Sequence, residues 1–454
     1  MVPTTPGQTE HLTRDQSGTT LHGPAPGWGV DNRPGRVPAP EAIHRWAREV
    51  GRRLQAHAWA RGGDTFVDVT ALTDSGLPLA RALRLACLGL TDGLGGPAAA
   101  TGCRIHLVGL PDAPGLAEAR SRAYVDARAA QLARDLIDTR ANEVTPKVLA
   151  GRAVETAERS GLSTRVWDAA DAAAAGMGGI IAVGSGSPNP PALVELIYQP
   201  AGGEQSRPPV CLVGKGVTFD SGGLSMKSPA AMVGMHSDKA GAVTVLAAMS
   251  ALRDLGVGTP VRALLPLAEN LPGTRATRPG DIITMLDGAR VEVVDTDFEG
   301  RVLMADALVL AAGTQAGSAP AAVIDVATLT YQAVTALGVD IGALIARDDT
   351  LGQRLLTAAE RVGEPLWPLP WAPRYADQIR SRAPGARLRN HPGTDTGRAL
   401  TAALFLGAFV PDKIPWAHLD IAGPAMAGTS ADARATGYGV RTLTDLLEQW
   451  QPLP

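Results

Sequence analysis

The sequence predicts a two-domain α/β protein. Its 454 residues exceed what one hydrophobic core usually supports, so two domains are expected. Strand-like apolar runs alternate with helical patterns along most of the chain. These apolar runs are short and do not alternate with polar residues, which is typical of a sheet that helices cover on both faces.

The N-terminal part of the chain predicts an arm followed by a small domain. Residues 1–39 are polar and rich in Pro, Gly and Thr, which predicts a flexible arm. Residues 40–140 alternate helical and strand patterns and predict a small α/β domain. Its expected elements are a helix from residue 40, a strand at 65–69, a helix at 77–90, a strand at 103–109 and a long helix at 117–138.

Residues 141–454 predict the larger α/β domain. A helix is expected to begin at Pro146, because proline suits the first helical turn. The strand candidates are 179–183, 210–213, 261–267, 291–294 and 322–326. The other helix candidates are 240–255, 301–312 and 400–409.

Composition argues against several classes of partner. The formal net charge of −3 gives no electrostatic reason to expect nucleic acid or a membrane surface. No apolar run is long enough to span a bilayer, and no signal peptide is visible, so a cytoplasmic location is expected. Cys87, Cys103 and Cys211 are widely spaced, which predicts reduced, small core side chains rather than a disulfide or metal motif.

The first segment with chemical character is a glycine-rich loop after an apolar strand. It carries Lys215, Asp220 and Lys227, with glycines that allow tight turns and close approach to a ligand. A phosphate-binding loop is the alternative interpretation. The GxxxxGK[ST] spacing of such loops is absent, which disfavours that interpretation.

Two further segments add carboxylates. Asp238 precedes an apolar helix, where the simplest interpretation is an N-cap. The neighbouring His236 is expected to be structural or to line the rim of a site. Asp295, Asp297 and Glu299 stand at alternate positions after an apolar run, which predicts one acidic face at a strand end. Such a cluster needs cationic partners if it is buried.

The charges of these segments point to metal ions. Asp220, Asp238 and Asp297, together with Glu299, supply four negative charges on hard oxygen atoms. Two divalent cations would neutralise them, and carboxylates bridge ions about 3.5–4 Å apart in several classes of hydrolase. Oxygen ligands accept Zn²⁺, Mn²⁺ or Mg²⁺, so the sequence does not select one metal.

Taken together, these segments resemble the leucyl aminopeptidase family of metallopeptidases. The family signature NTDAEGR stands here as DTDFEGR at residues 295–301, and the resemblance extends over roughly residues 130–450. It implies a small N-terminal α/β domain and a larger C-terminal α/β/α domain around a mixed central sheet. It also implies that residues 141–454 form a two-metal peptidase domain, that the chain assembles as a homohexamer, and that peptides or aminoacyl amides are the substrates.

The resemblance also implies residue roles. Lys227 would stay protonated and polarise the scissile carbonyl. Arg301 would hold a bicarbonate ion that takes a proton from the attacking water. The metal ligands would be Lys215, Asp220, Asp238, Asp297 and Glu299.

The chain departs from the family around the substrate. The family usually has Asn at Asp295, Ala at Phe298 and Gly at Tyr331, and a larger residue at Ala425. Neutral drift is one interpretation. The other is a narrowed substrate range, in which Asp295 favours a cationic leaving group and Phe298 a flat apolar one. The residues expected to contact substrate are Met235, Asp295, Phe298, Thr328, Leu329, Tyr331, Ala422 and Ala425.

Three functions remain open from the sequence. The first is an aminopeptidase for peptides or aminoacyl amides. The second is a dedicated enzyme that cleaves amides or transfers acyl groups in a specialised small-molecule pathway. The third is a non-catalytic DNA-binding protein, for which the small domain would need a basic surface. Its arginines alternate with apolar residues, which favours solvated helix faces over such a surface; they are Arg52, Arg53, Arg81 and Arg84.

Overall fold

The chain divides into two compact units. A computed structural model describes residues 12–15, 18–21, 40–58, 63–69, 72–73, 75, 77–93, 103–201, 207–313, 319–428 and 433–453. The first unit contains Met1–Gln131 and Glu360–Gly363, and the second contains Leu132–Ala359 and Glu364–Pro454. The division at residue 131 falls inside a long helix, whereas the sequence predicted a boundary after residue 140.

The first unit is built on a four-stranded sheet in the order β1-β2-β3-β4, antiparallel at β1–β2 and parallel elsewhere. The strands are β1 (Leu12–Asp15), β2 (Gly18–Leu21), β3 (Gly63–Asp68) and β4 (Cys103–Val108), and the helices are α1 (Pro40–Ala58), α2 (Leu79–Gly93) and the start of α3 (Leu116–Asp138). Strands β1 and β2 lie within the predicted arm, most of which falls outside the described residues. The other elements match those expected from the sequence.

The second unit contains a nine-stranded mixed sheet, as the resemblance implied. Its order is β14-β13-β16-β12-β7-β9-β6-β5, with β8 paired to β9. The strands are β5 (Ser163–Trp167), β6 (Ala192–Tyr198), β7 (Val210–Gly214), β8 (Gly216–Asp220), β9 (Val261–Asn270), β12 (Ala322–Ala327), β13 (Gly342–Ala346), β14 (Leu366–Pro368) and β16 (Trp416–Asp420). Two small sheets contain β10 (Ile282–Thr284), β11 (Arg290–Glu292) and β15 (Leu388–Arg389), and β17 (Met426–Ala427) and β18 (Arg434–Ala435).

Helices cover both faces of the large sheet, which gives an α/β/α arrangement. Helix α8 packs against α4 and α13, helix α9 packs against α6 and α12, and both α8 and α9 contact β7, β9 and β12. The helices are α4 (Pro146–Ser160), α5 (Ala169–Ala174), α6 (Gly178–Gly184), α7 (Pro229–Met232), α8 (Ala240–Ala251), α9 (Glu299–Ala312), α10 (Tyr331–Leu337), α11 (Asp349–Val362), α12 (Arg398–Gly407) and α13 (Val440–Glu448), with 3₁₀ helices at Met235–Lys239 and Pro373–Ile379. Within the described ranges, no helix is both long and apolar enough to cross a bilayer.

The parallel strands bring the motif-bearing loops to one edge of the sheet. Strands β16, β12, β7 and β9 run parallel in that order, and β8 runs parallel to β9. Their carboxyl ends therefore lie at the same edge, which is where open α/β sheets normally bind ligands. Lys215 follows β7, Asp220 ends β8, and Thr328 follows β12.

The predicted strand at 179–183 is wrong, because this segment forms helix α6. A short run of apolar residues is compatible with a buried strand or a buried helix, and periodicity alone does not separate them. The deciding interaction is distant in sequence. Asp306 of α9 accepts hydrogen bonds from the backbone N–H groups of Gly179 (2.7 Å) and Ile180 (3.0 Å) and so caps the first turn of α6.

Two cysteines lie within the described side chains, and both are free. Cys211 is buried in β7, and burial raises the pKa of its thiol to about 12. Cys87 is partly buried, and burial raises its pKa to about 11. Both thiols are therefore protonated at neutral pH and unreactive. The side chain of Cys103 lies outside the described part of the chain.

Candidate metal centre

Lys215 stands between two carboxylates at the edge of the sheet. Its ammonium lies 2.8 Å from Asp238 Oδ1 and 2.9 Å from Glu299 Oε1, and it donates to the carbonyl oxygen of Thr328 at 3.0 Å. The lysine stem passes directly over the first turn of α9. A Cβ at Gly300 would stand 2.4 Å from Lys215 Cε, so only glycine permits this approach.

Lys227 stands between two further carboxylates. Its ammonium lies 2.8 Å from Asp220 Oδ2 and 2.5 Å from Asp297 Oδ1. The loop that connects Asp220 to Lys227 turns at Gly222, which has a φ of +85°. Its N–H donates to Asp220 Oδ1 at 2.9 Å, and a Cβ there would stand 2.8 Å from Asp297 Oδ1. Glycine is therefore required both for the backbone angle and for space.

The two lysines and four carboxylates form one largely buried, net negative cluster, in which the Asp297 side chain is the most exposed at 30%. Oxygen atoms of Asp220, Asp297 and Glu299 lie within 4.8 Å of one another. Oδ2 of the buried Asp238 has no hydrogen-bond partner in the described part of the chain. The four carboxylates carry more charge than the two ammonium groups, so the cluster keeps a net negative charge that further cations would neutralise. Close-packed hard oxygens and an unused carboxylate oxygen fit divalent metal ions.

The pKa shifts of the carboxylates reflect this crowding. Burial raises the pKa of Asp297 to about 7, and the charges of Asp220 and Glu299 add to the effect. Burial and the charge of Asp220 likewise raise the pKa of Glu299. For Asp238, burial raises the pKa, and Lys215 offsets only part of that rise. Removing these groups from water costs free energy that nearby cations offset.

The pKa values of the two lysines are also raised, but for a different reason, because burial itself lowers a lysine pKa. Burial lowers the pKa of Lys215, but Asp238, Glu299 and other acid neighbours outweigh burial and raise the pKa overall. The pKa of Lys227 is also raised overall, because its carboxylate partners outweigh the effect of burial. With protein groups alone in the cluster, both side chains are ammonium ions at neutral pH.

Two local interpretations of the acidic residues are wrong. Asp238 is not the N-cap of α8, because it lies inside the 3₁₀ helix and the cap position is Lys239. Asp295, Asp297 and Glu299 do not share a strand face, because β11 ends at Glu292 and Glu299 begins α9. Asp295 lies outside the close carboxylate cluster. Its Oδ1 instead accepts a hydrogen bond from the backbone N–H of Asp297 at 2.9 Å.

Asn390 organises the same loop and was not identified from the sequence. Its buried side chain accepts from the backbone N–H of Val294 at 2.8 Å and donates to the carbonyl oxygen of Asp295 at 2.6 Å. The backbone carbonyl oxygen of Asn390 accepts a hydrogen bond from Arg301 Nη1 at 2.9 Å. A single asparagine about 95 residues from the loop carries no local pattern that could have predicted this contact.

Asp420 and Asn270 are further organising residues that the sequence did not single out. Asp420 accepts from the backbone N–H groups of Leu329 and Ala422, each at 3.1 Å, and from Thr330 Oγ1 at 2.7 Å. Asn270 Nδ2 donates to Asp220 Oδ1 at 2.8 Å. Both lie within residues 130–450, over which the chain resembles the family, and this resemblance was the available signal.

Arg301 adds a buried positive charge beside the cluster. Its side chain is 2% exposed, and burial lowers its pKa to about 10, so it remains protonated at neutral pH. Its Nε has no hydrogen-bond partner within the described residues. The guanidinium lies 4.7 Å from the ring centroid of Phe298. The same ring contacts Arg398 at 5.2 Å and His391 at 4.5 Å.

The expected substrate residues occupy several environments. Thr328 Oγ1 donates to Asp238 Oδ1 at 2.6 Å, which attaches this residue to the cluster. Tyr331 begins α10 and is 76% exposed. Ala425 is 2% exposed, so it is covered by other protein atoms. Met235 is partly buried at the start of the 3₁₀ helix, and Leu329 and Ala422 are held through Asp420.

Arginines of the small unit have partners close by. Arg84 Nε and Nη2 donate to the same Asp126 oxygen at 2.9 and 2.6 Å, and Arg52 pairs with Glu49. Arg81 donates to the carbonyl oxygens of Glu360 and Arg361. The side chain of Arg53 lies outside the described residues. Arg84 is only 15% exposed and its partner Asp126 is buried, so this arginine does not lie on a solvated helix face. Arginines held in such contacts are also not presented as a basic surface for nucleic acid.

Comparisons with known proteins point to one family. Residues 131–444 match the catalytic domain of the cytosol aminopeptidase family. The chain is 45% identical over 338 residues to a probable cytosol aminopeptidase of Syntrophotalea carbinolica, covering 74% of this chain and 66% of that protein. It is 42% identical over 320 residues to one of Chlorobaculum tepidum, covering 70% and 62%. The matched region thus spans about two-thirds or less of these relatives.

Solved structures give a longer match. The bottromycin maturation enzyme BotP in complex with Mn superimposes with a TM-score of 0.85 at 37% identity, covering 98% of this chain and 93% of that one. A second BotP structure gives a TM-score of 0.79 at 38% identity, covering 90% and 87%.

Proposed function

The chain belongs to the cytosol aminopeptidase family, and on this premise we propose that it is a metal-dependent aminopeptidase. The proposed reaction is hydrolysis of the amide bond that follows a free N-terminal residue. The observation that carries the proposal is the buried cluster in which Lys215 and Lys227 are surrounded by four carboxylates. Its composition and geometry suit two divalent ions better than a structural ion-pair network, because the carboxylates outnumber the ammonium groups.

The ligands of the two ions would be the residues that the sequence singled out: Lys215, Asp220, Asp238, Asp297 and Glu299. Two divalent ions supply a Lewis acid and a nucleophilic water at neutral pH. Lys215 would bind as a neutral amine, because adjacent dications lower the pKa of its ammonium. The relative that was solved with Mn makes Mn²⁺ the first metal to test, ahead of Zn²⁺ and Mg²⁺.

Lys227 and Arg301 would act directly on the reacting groups. Lys227 forms ion pairs with Asp220 and Asp297 and remains protonated. It can therefore donate to the scissile carbonyl and stabilise the negative oxygen that develops there. Arg301 has an unpaired Nε–H in the described structure and keeps its charge, which suits a small anion such as bicarbonate. That anion would accept the proton of the attacking water.

Substrate selection would occur beside the cluster. Tyr331 is largely exposed at the start of α10 and follows the loop that contains Thr328. Phe298 adjoins Asp297 in the chain and places a flat ring against Arg301. We therefore propose a narrowed substrate range, with a flat apolar preference near Phe298.

A second candidate is a dedicated amide-cleaving enzyme of a specialised pathway. The similarity to a bottromycin maturation enzyme over nearly the whole chain favours this variant of the same chemistry. It uses the same ligands and Lys227, and it differs in accepting one preferred substrate. The same site would also suit transfer of the acyl group to a nucleophile other than water. A homohexamer and a cytoplasmic location remain predictions from the sequence.

A substrate panel tests the proposal. Metal-free protein is reconstituted with Mn²⁺ and assayed on aminoacyl amides and dipeptides that vary on both sides of the scissile bond. We expect release of the N-terminal residue that chelation abolishes and that is lost in Glu299→Ala. Hydrolysis of one dominant substrate would favour the dedicated enzyme. Hydrolysis of many substrates at similar rates would exclude a narrowed substrate range. Absence of hydrolysis across the panel, with metal bound, would contradict the proposed activity.

A further inference from the structure

Lys239 is a buried lysine that the proposed reaction does not use. Its side chain is fully buried, and it directly follows Asp238. Its ammonium donates to the carbonyl oxygens of Ile137 at 2.9 Å, Thr139 at 2.9 Å and His236 at 2.6 Å. In the described part of the chain, no carboxylate lies within salt-bridge distance of this ammonium. The contacts of Lys239 are thus with neutral dipoles.

The three carbonyl oxygens come from two separate segments. Ile137 lies in the last turn of α3, and Thr139 follows that helix by one residue. Carbonyl groups at a helix C-terminus lack partners within the helix and carry the negative end of its dipole. His236 belongs to the 3₁₀ helix that also contains Asp238. The ammonium therefore joins the end of α3 to the segment that presents Asp238.

The protonated form of Lys239 is required by its hydrogen bonds. Burial lowers the pKa of Lys239 to about 7. Three carbonyl acceptors need three N–H donors, however, and only the ammonium provides three. Carbonyl oxygens that converge on one point also replace the hydration shell of a monovalent cation, as they do in potassium-selective pores. The Nζ position therefore has the surroundings of a K⁺ or NH₄⁺ site.

We propose that the Lys239 ammonium is a covalently attached monovalent cation that fills a carbonyl cage and thereby positions Asp238. Lys239 is a positioning residue, because its ammonium contacts backbone carbonyls and not the carboxylate cluster. One neighbouring contact reinforces the same junction, because Arg140 Nη1 lies 3.3 Å from the ring nitrogens of His236. The end of α3 is also held to β18, since Asp138 Oδ1 accepts from the backbone N–H of Ala435 at 2.8 Å.

Replacement of Lys239 by Met provides the main test. Methionine keeps the apolar stem but ends one atom short of the ammonium, which leaves the carbonyl cage without a cation. Thermal unfolding is measured in chelator, at equal ionic strength of potassium, ammonium or tetramethylammonium chloride. Tetramethylammonium is too large for the cage and has no N–H group. We expect Lys239→Met to unfold several degrees lower in tetramethylammonium and to recover in potassium or ammonium.

The control is Lys147→Met, which removes an exposed lysine. Wild type and this control are expected to unfold at the same temperature in all three salts. A melting temperature of Lys239→Met that does not depend on the cation would overturn the cage. If the Met variant does not fold in any salt, Lys239→Gln carries the test, because its polar side chain is tolerated beside carbonyl groups and its amide oxygen can join them as a ligand of the added cation. A Gln variant that is insensitive to the cation would equally overturn it.

The link to Asp238 has its own readout. Mn²⁺ is titrated into metal-free Lys239→Met in tetramethylammonium and in potassium chloride. Loss of a group that orients a ligand typically weakens metal binding 10–100-fold, so we expect a rise of roughly tenfold in the dissociation constant that potassium reverses. Unchanged affinity would show that Lys239 does not position Asp238. This step rests on the proposed metal site, whereas the melting experiment needs neither metal nor hydrolysis.

Discussion

Lys227 differs from Lys215 in what its charge is proposed to do. Both are buried between carboxylates, but Lys215 becomes a neutral ligand in the proposed enzyme and Lys227 remains an ammonium ion. The sequence predicted both residues, because they lie in one glycine-rich segment. It could not predict which carboxylates each lysine contacts, since Asp297 and Glu299 come from a loop about 70 residues later.

Replacement of Lys227 by Met tests its catalytic role. We expect kcat to fall by roughly 10²–10³, the usual effect of removing one donor to a developing negative oxygen. Mn²⁺ binding should persist, because Lys227 is not a ligand. Steady-state kinetics and metal titration measure the two effects, with exposed Lys413→Met as the control. A variant that retains its kcat would rule out this role.

Asp295 orients Asp297, one of the proposed metal ligands, by accepting a hydrogen bond from its backbone N–H. Asp295→Ala removes the acceptor for the N–H of Asp297, so we expect Mn²⁺ affinity to fall roughly tenfold. Asp295→Asn keeps an acceptor oxygen and should bind Mn²⁺ like wild type. A second role for the charge of Asp295, selection of the leaving group, is tested by assaying dipeptides with cationic and neutral leaving groups. If Asp295→Asn loses activity only on dipeptides with cationic leaving groups, the charge of Asp295 also selects substrate.

The sequence predicted those helices and strands whose type is set by a local apolar pattern, and it failed where contacts distant in sequence decide the type. Helix α8 and strands β7, β9 and β12 were predicted because their apolar runs are long or clearly bounded. Helix α6 was predicted as a strand, because its five-residue apolar run has no decisive periodicity. Asp306, which caps it, lies on α9 and also accepts from the N–H of Leu286 at 2.8 Å. Contacts of this kind are invisible to a local pattern.

Asp306→Ala is expected to destabilise the fold around α6. Three backbone N–H groups would lose a buried acceptor, and each unsatisfied buried group costs about 1–3 kcal/mol before relaxation. Chemical denaturation measures the free energy of unfolding, with exposed Asp340→Ala as the matched control. Equal stability of the two variants would show that α6 does not depend on this cap.

For the whole molecule, the sequence predicted two α/β regions and a set of candidate metal ligands, which the structure brings together in one cluster. The sheet order could not be predicted, because pairings such as β12 with β7 join segments about 110 residues apart. The same limit applies to Asn390 and Asp420, whose hydrogen bonds with Val294 and Thr330 span 96 and 90 residues. Motif residues were predictable because chemistry constrains their type and spacing. Organising residues are constrained only by the folded structure.

The proposed two-metal centre is tested by counting the metal ions that each chain binds. Metal-free protein is titrated with Mn²⁺, and bound metal is counted after removal of free ion. We expect two ions per chain in the wild type and fewer in Glu299→Gln, because the amide of this variant cannot neutralise a dication. Saturation at one ion, or no specific binding, would contradict a two-metal centre built from Lys215, Asp220, Asp238, Asp297 and Glu299.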